Sequence, residues 1–247
     1  MKKNVCFVSL VLAISFLVGA GGGDFKSDVV KTSQGDLTIT CLGHASLMFQ
    51  FQEKVIYVDP FGRVADYSKL PKADLILVSH EHGDHLDAAA IDAVKKEDTK
   101  IILPQKAAQK LGYGMVMVNG DVRTVLGLEI EAVPAYNMVH KRDNGQPFHP
   151  KGEGNGYIIT FGDKRVYVAG DTENTPEMKK LKNIAIAFLP INLPYTMDEK
   201  MVKDAVTAFK PTILYPYHFH FGQSRLAELE TLMADVAGIE LRIRNQK

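Results

Sequence analysis

The sequence is short of cysteine, of any excess of one charge, and of long apolar runs beyond its first twenty residues. Each shortage narrows what the chain can be. Only two cysteines, Cys6 and Cys41, occur in 247 residues. That rules out a disulfide-stapled scaffold and a cysteine-closed structural zinc site, so stability must come from packing, to which metal held by other ligands can add. Lysine plus arginine equals aspartate plus glutamate at 29 each, and no basic run stands out. A nucleic-acid partner needs a positive surplus, so none is expected. Low-complexity segments and short repeats are absent as well, which excludes a solenoid. What remains is a chain of ordinary globular composition, 46% hydrophobic and 23% charged, long enough to bury a sizeable core.

The N-terminus differs from the rest. "MKK" is cationic, and the sixteen residues from Val5 to Ala20 carry no charge and end in small side chains. This pattern predicts a signal peptide over residues 1–20 and an exported protein, periplasmic or extracellular, with no membrane span after cleavage. A retained N-terminal anchor is the alternative, because the apolar run is only slightly shorter than a spanning helix needs. Cys6 lies at the start of that run, which argues against a lipoprotein, and cleavage would leave Cys41 as the sole thiol. Residues 21–34 read as a linker and 35–247 as one domain.

Short β-rich runs follow: "DLTITCLG", "ASLMFQF", "KVIYVDPF" and the nearly continuous apolar "ADLILVSH". "LDAAAIDAVKK" has helical periodicity, "KIILP" reads as a strand, and "QKAAQKLG" as a short helix closed by Gly112. The second half repeats the style. "LEIEAVPAY", "GYIITFG", "KRVYVAGD", "IAIAFLPIN" and "TILYPYHF" are strands, while "TPEMKKLK", "MDEKMVKDAVTAFK" and "SRLAELETLMADV" are helices. Early strands succeed one another as hairpins and later ones alternate with helices. Two mixed sheets packed face to face with helices outside, an α+β sandwich, would accommodate both patterns, as would a three-layer α/β sheet. The irregular stretch from Asn137 to Asn155 is long enough to suggest a functional loop.

"VSHEHGDHLD" packs three histidines and three acidic residues into ten positions. On a strand end, residues two apart point the same way, so His80 and His82 can grip one cation. Asp84 and His85, past a bend that Gly83 is expected to permit, can face a second. Imidazole and carboxylate together suit zinc, and also manganese or iron. Asp171 in "VYVAGDT" ends an apolar strand and can bridge two cations, with a helix N-cap as its alternative role. "LYPYHFHF" places His218 and His220 at another strand end, with His218 the favoured ligand. His149 sits on the long loop beside a proline, where a surface role is the commoner one. His44, at a strand break, suits an orienting or substrate-facing role, and His140, between charged neighbours, reads as solvent-exposed.

"SHEHGDHLD", "AGDT" and "YPYHF" together resemble the metallo-β-lactamase superfamily of αββα metallohydrolases. "GHASLMFQF…VIYVDPF" and "VPAYN…FHPKGEGNGYII" are similar to the branch related to ascorbate-6-phosphate lactonases and N-acylphosphatidylethanolamine-hydrolysing phospholipases D. The resemblance implies a four-layer αββα sandwich. It further implies a dinuclear centre of two divalent ions, zinc first, then manganese or iron. His80 and His82 would hold the first metal and Asp84 and His85 the second, with Asp171 bridging and His218 completing the second site. The family's third histidine on the first metal has Tyr136-Asn137 in its place here, so Asn137 or His149 must serve, with His149 favoured. The implied activity is hydrolysis of a phosphodiester, lactone or related ester in a small-molecule or lipid-like substrate. Asp84 or Asp171 would orient the attacking water, and His44 would assist the leaving group. A β-lactam hydrolase and an exported metal-stabilised binding module without turnover are the alternatives.

Overall fold

Two seven-stranded sheets are built in nearly the same way, one from each half of the chain. A computed structural model of the protein describes residues 25–219 and 224–244, with the side chains of residues 224 and 225 excepted. The expected leader over 1–20 and His220 lie outside the described residues. In the first sheet, β1 (Ser27–Thr32), β2 (Gly35–Gly43), β3 (Ser46–Phe51) and β4 (Lys54–Val58) pair antiparallel in sequence order. β5 (Leu75–Leu77), β6 (Lys100–Leu103) and β7 (Met115–Val116) then add in parallel, with α1 (Ala88–Val94) and α2 (Gln105–Leu111) in the crossovers.

The second sheet follows the same scheme. β8 (Val122–Val125), β9 (Leu128–Ala135), β10 (Gly154–Phe161) and β11 (Lys164–Val168) pair antiparallel. β12 (Ile184–Pro190), β13 (Ile213–Tyr217) and β14 (Glu240–Leu241) pair in parallel, with α3 (Glu199–Phe209) and α4 (Ser224–Met233) between them.

Period-two alternation sorts the side chains between layers. Leu47 and Phe49 of β3, Ile56 and Val58 of β4, and Phe188 of β12 fill the space between the sheets. Met48, Tyr57 and Ile76 face α1 and α2, while Tyr167, Ala187 and Leu214 face α3 and α4. Every central strand is buried on both faces, which is why these runs are apolar almost throughout. The result is the four-layer αββα sandwich, not a three-layer sheet.

Three local expectations are corrected. The stretch read as a linker, 21–34, contains β1, whose Ser27 hydroxyl meets Thr40 at 2.7 Å and whose Asp28 is bound by Arg244 at 2.7 Å. A strand that hides polar groups through distant partners leaves little apolar signal in the sequence. "TPEMKKLK" is not an α-helix but a single 3-10 turn at Met178–Lys180, because the chain must enter β12 at once. Gly83 is not required for its bend: its φ is not left-handed and a Cβ there would meet no atom within 4 Å. The bend is made instead by the amides of His85 and Leu86, which both donate to the His82 carbonyl, at 3.1 and 2.8 Å.

Candidate metal centre

The parallel strands of both sheets end at one edge of the sandwich, and the loops leaving those ends carry the polar residues. Asp59 follows β4, Ser79 to His85 follow β5, Asn137 follows β9, Asp171 follows β11, and His218 follows β13. The two sheets are tied together beside this edge. The buried Tyr157 hydroxyl donates to the Val78 carbonyl at 2.8 Å, and the Asn155 amide donates to the Ser79 carbonyl at 2.9 Å. Gly170 has φ +66, and a Cβ on it would lie 2.8 Å from the Asn155 carbonyl, so only glycine lets Asp171 come this close.

Three overlapping sets of potential ligands result, of which His80, His85 and Asp171 form the one that spans the other two. His80, His82 and His149 form the first of those two, their ring nitrogens within 4.8 Å of one another. His44, Asp84, His85 and His218 form the other, and within it the Nε2 atoms of His85 and His218 are 3.0 Å apart. Asp171 stands between them. Its Oδ2 is 3.3 Å from His149 Nε2, and its Oδ1 is 3.5 Å from His85 Nε2 and 3.3 Å from His218 Nε2. Oδ1 is buried and accepts no hydrogen bond. A buried carboxylate oxygen without a donor is costly, and a divalent cation is the partner that such a site fits. The donor set, imidazole nitrogens with two carboxylates, suits that cation too.

His85, His149 and His44 are each aimed by a neighbour. His85 Nδ1 donates to Asp59 Oδ2 at 2.8 Å, leaving Nε2 to face the centre. Asp59 is itself held by the Ser79 amide and hydroxyl, at 2.7 and 2.6 Å. His149 Nδ1 and its own amide both donate to Asn137 Oδ1 at 2.8 Å, leaving Nε2 to face Asp171 and the centre. Asn137 therefore does not stand in for a ligand; it holds the histidine that sits with His80 and His82. Its amide is fixed in turn, donating to Glu173 Oε1 at 3.1 Å and to the Tyr195 carbonyl at 2.9 Å. Such carboxylate or carbonyl partners behind ligating histidines set ring orientation and tautomer. His44 Nε2 meets Asp84 Oδ2 at 2.9 Å, with its ring centroid 3.9 Å from that of His218.

Charge is strongly perturbed here. Burial, followed by the neighbouring imidazoles, holds His80 well below its ordinary value. Burial and the charges of His82, His85 and Arg142 bring His149 down to about 3. Burial also works against charge on His85, but Asp171, Asp59 and Asp84 outweigh it and raise that group to about 9. Burial lifts the Asp171 carboxyl to about 6. On Asp84 burial is overcome by the hydrogen bond from His44 and the charges of His85 and His218, which hold it far below the carboxylate range. His80 and His149 are thus held neutral, as metal ligands must be, whereas His85 would have to give up a proton on binding a cation.

Sequence reasoning passed over Asp59, Asn192 and Glu173. Asp59 had a signal, a carboxylate ending the apolar run "VIYVD" ahead of Pro60, and it is fully buried. Asn192 lies 3.1 Å from His218 Nδ1 and had none. Glu173 accepts the amides of Met138, Val139 and His140 at 2.7 Å each, together with His140 Nδ1 at 2.8 Å. His140 is thus part-buried and engaged, not the free surface group its flanking charges suggested. Asp171 caps no α-helix.

The chain is similar to a group of metal-dependent hydrolases. A metal-dependent hydrolase of Methanopyrus kandleri is 31% identical over 199 residues, covering 74% of this chain and 84% of that protein. A crystal structure from Parabacteroides distasonis, described as a metal-dependent hydrolase, is 50% identical with TM-score 0.85, covering 90% of this chain and all of that one. A metallo hydrolase of Ignicoccus hospitalis shares the fold at 22% identity and TM-score 0.68, covering 85% of this chain and 95% of that one. The β-lactamase superfamily domain model matches residues 38–218, from β2 to the last histidine of the centre, and the chain belongs to that family.

Proposed function

We propose that the protein is a metal-dependent hydrolase that holds two divalent cations, zinc ahead of manganese or iron, and cleaves a phosphodiester, lactone or related ester. The observation that carries this reading is the donorless Asp171 Oδ1, buried between two sets of histidines. Relatives named as metal-dependent hydrolases support the reaction class. When bound, the cations would lower the pKa of water and polarise the bond attacked. The chain's own groups do the rest. Asp84, half-exposed toward the cavity, orients the attacking water and is itself held by His44. The proton shared between His44 Nε2 and Asp84 Oδ2 lies where a leaving group can take it. The small-molecule or lipid-like substrate is met outside the cytoplasm, as the leader over 1–20 suggests, and nucleic acid is not the partner.

The test is elemental analysis of the protein after zinc loading, joined to a screen of phosphodiesters, lactones and β-lactams. About two metals per chain and turnover of one ester class are expected, and His82→Ala with Asp84→Ala abolishes both. Less than about one metal per chain, or full activity in that double variant, overturns the reading. Metal uptake with silence across all three substrate classes would instead favour a binding module.

A further inference from the structure

The cavity above the centre has a volume of about 230 Å³ and is rimmed by Arg142, Phe148 and Tyr195. These three side chains form a row. The Arg142 guanidinium lies 5.2 Å from the Phe148 ring centroid, and the Phe148 and Tyr195 rings meet edge to face at 5.0 Å. One guanidinium nitrogen donates to the Phe148 carbonyl at 3.2 Å. Arg142 forms no ion pair among the described residues, so most of its donors remain unspent.

The rim is held in place from below. Asn137, which aims His149, also bonds the Tyr195 carbonyl, so the two rim loops share one anchor with a histidine of the centre. Glu173 ties down the amides of Met138 and Val139 and leaves those side chains 38% and 62% exposed, while Tyr195 is 44% exposed. An unpaired arginine beside aromatic faces is the arrangement that binds an anion carrying a flat or apolar group.

We propose that Arg142 is the anion-binding residue of the substrate site, and that Phe148 and Tyr195 take an apolar or aromatic group of the same molecule. The substrate is then a small anionic ester, with its charged oxygens between Arg142 and the centre. A cavity of about 230 Å³ is below the roughly 300–1,000 Å³ of pockets that enclose drug-sized ligands, so the reacting end of the molecule is compact. The inference rests on the hydrolase reading and deepens it by naming the substrate's charge and shape.

Calorimetric titration of the zinc-loaded protein with phenylphosphonate and methylphosphonate tests it without turnover. The wild type is expected to bind phenylphosphonate more tightly than methylphosphonate. Arg142→Ala weakens both by about tenfold or more, the loss expected of a charge-assisted hydrogen bond. Arg142→Lys recovers part of that affinity, and Tyr195→Ala removes the preference for the phenyl group. Equal affinity in wild type and Arg142→Ala overturns the anion site, because the centre alone would then hold the phosphonate. Equal binding of the two phosphonates by wild type overturns the aromatic subsite, and no binding of either overturns both. If Arg142→Ala weakens binding but no ester is ever cleaved, the hydrolase reading falls and the anion site stands.

Discussion

At the scale of single residues, the centre depends on groups that never touch a cation. Asn137 accepts from His149 at 2.8 Å through both the ring and the amide, and no other hydrogen bond holds that histidine's Nδ1 among the described residues. Asn137→Ala should therefore weaken metal at the His80–His82–His149 set by about 10- to 100-fold, the usual cost of losing a ligand's outer partner. Asn137→Asp, which keeps the acceptor but turns an oxygen toward the Glu173 carboxylate and the Tyr195 carbonyl, should not restore that affinity. Competition with a chromogenic chelator measures both, and equal affinities in wild type and Asn137→Ala would refute the positioning role. Asp59 does the same for His85, with the difference that its own support, Ser79, belongs to the histidine-bearing segment. One histidine is thus oriented locally and the other across the fold.

At the scale of elements, the segment after β9 is held by one carboxylate. Burial disfavours the charge on Glu173, but the amides of His140, Val139 and Met138 and the Asn137 side chain outweigh it and hold it below its ordinary value. A carboxyl depressed in the folded state contributes stability that is complete above its unfolded pKa and is lost as pH falls through the folded one. Glu173→Gln should therefore destabilise the protein by about 2 kcal/mol at neutral pH, the worth of charge-assisted hydrogen bonds to a buried group. The gap to wild type should shrink as pH drops below about 4.5, the ordinary value from which this carboxyl is displaced. Urea denaturation of both proteins across that range measures it, and a gap independent of pH would contradict the assignment. Strand and helix periodicity made nearly all the central elements legible. β1, β7, β8 and β14 were not, because they are edge or second-rank strands whose side chains are polar or only part-buried.

At the scale of the molecule, two sheets that could each exist as an ordinary layer are joined through a shared apolar interior and, at one edge, through the centre. Candidate ligands come from both halves, His80, His82, Asp84 and His85 from the first and His149, Asp171 and His218 from the second. A cation bound there stabilises the folded state by mass action, since the unfolded chain does not hold these groups together. Removing metal with a chelator should lower the melting temperature by several degrees, and restoring zinc should reverse the loss. Calorimetry that gave the same melting temperature with and without chelator would show that the centre does not link the halves energetically.

The local pattern of the chain determined the central strands and helices and the first candidate ligand cluster, because strand periodicity and the H-x-H-x-D-H spacing act within a few residues. The choice of a four-layer sandwich over a three-layer sheet was made by the tertiary structure. Tertiary structure alone decided that His149, not Asn137, sits with His80 and His82. It alone showed Asp59 and Glu173 to be supports and His140 to be engaged, and placed Arg142 over the cavity. Those assignments depend on residues brought together from distant strands. Distances of this kind are set by how two sheets pack, and no short-range spacing encodes them.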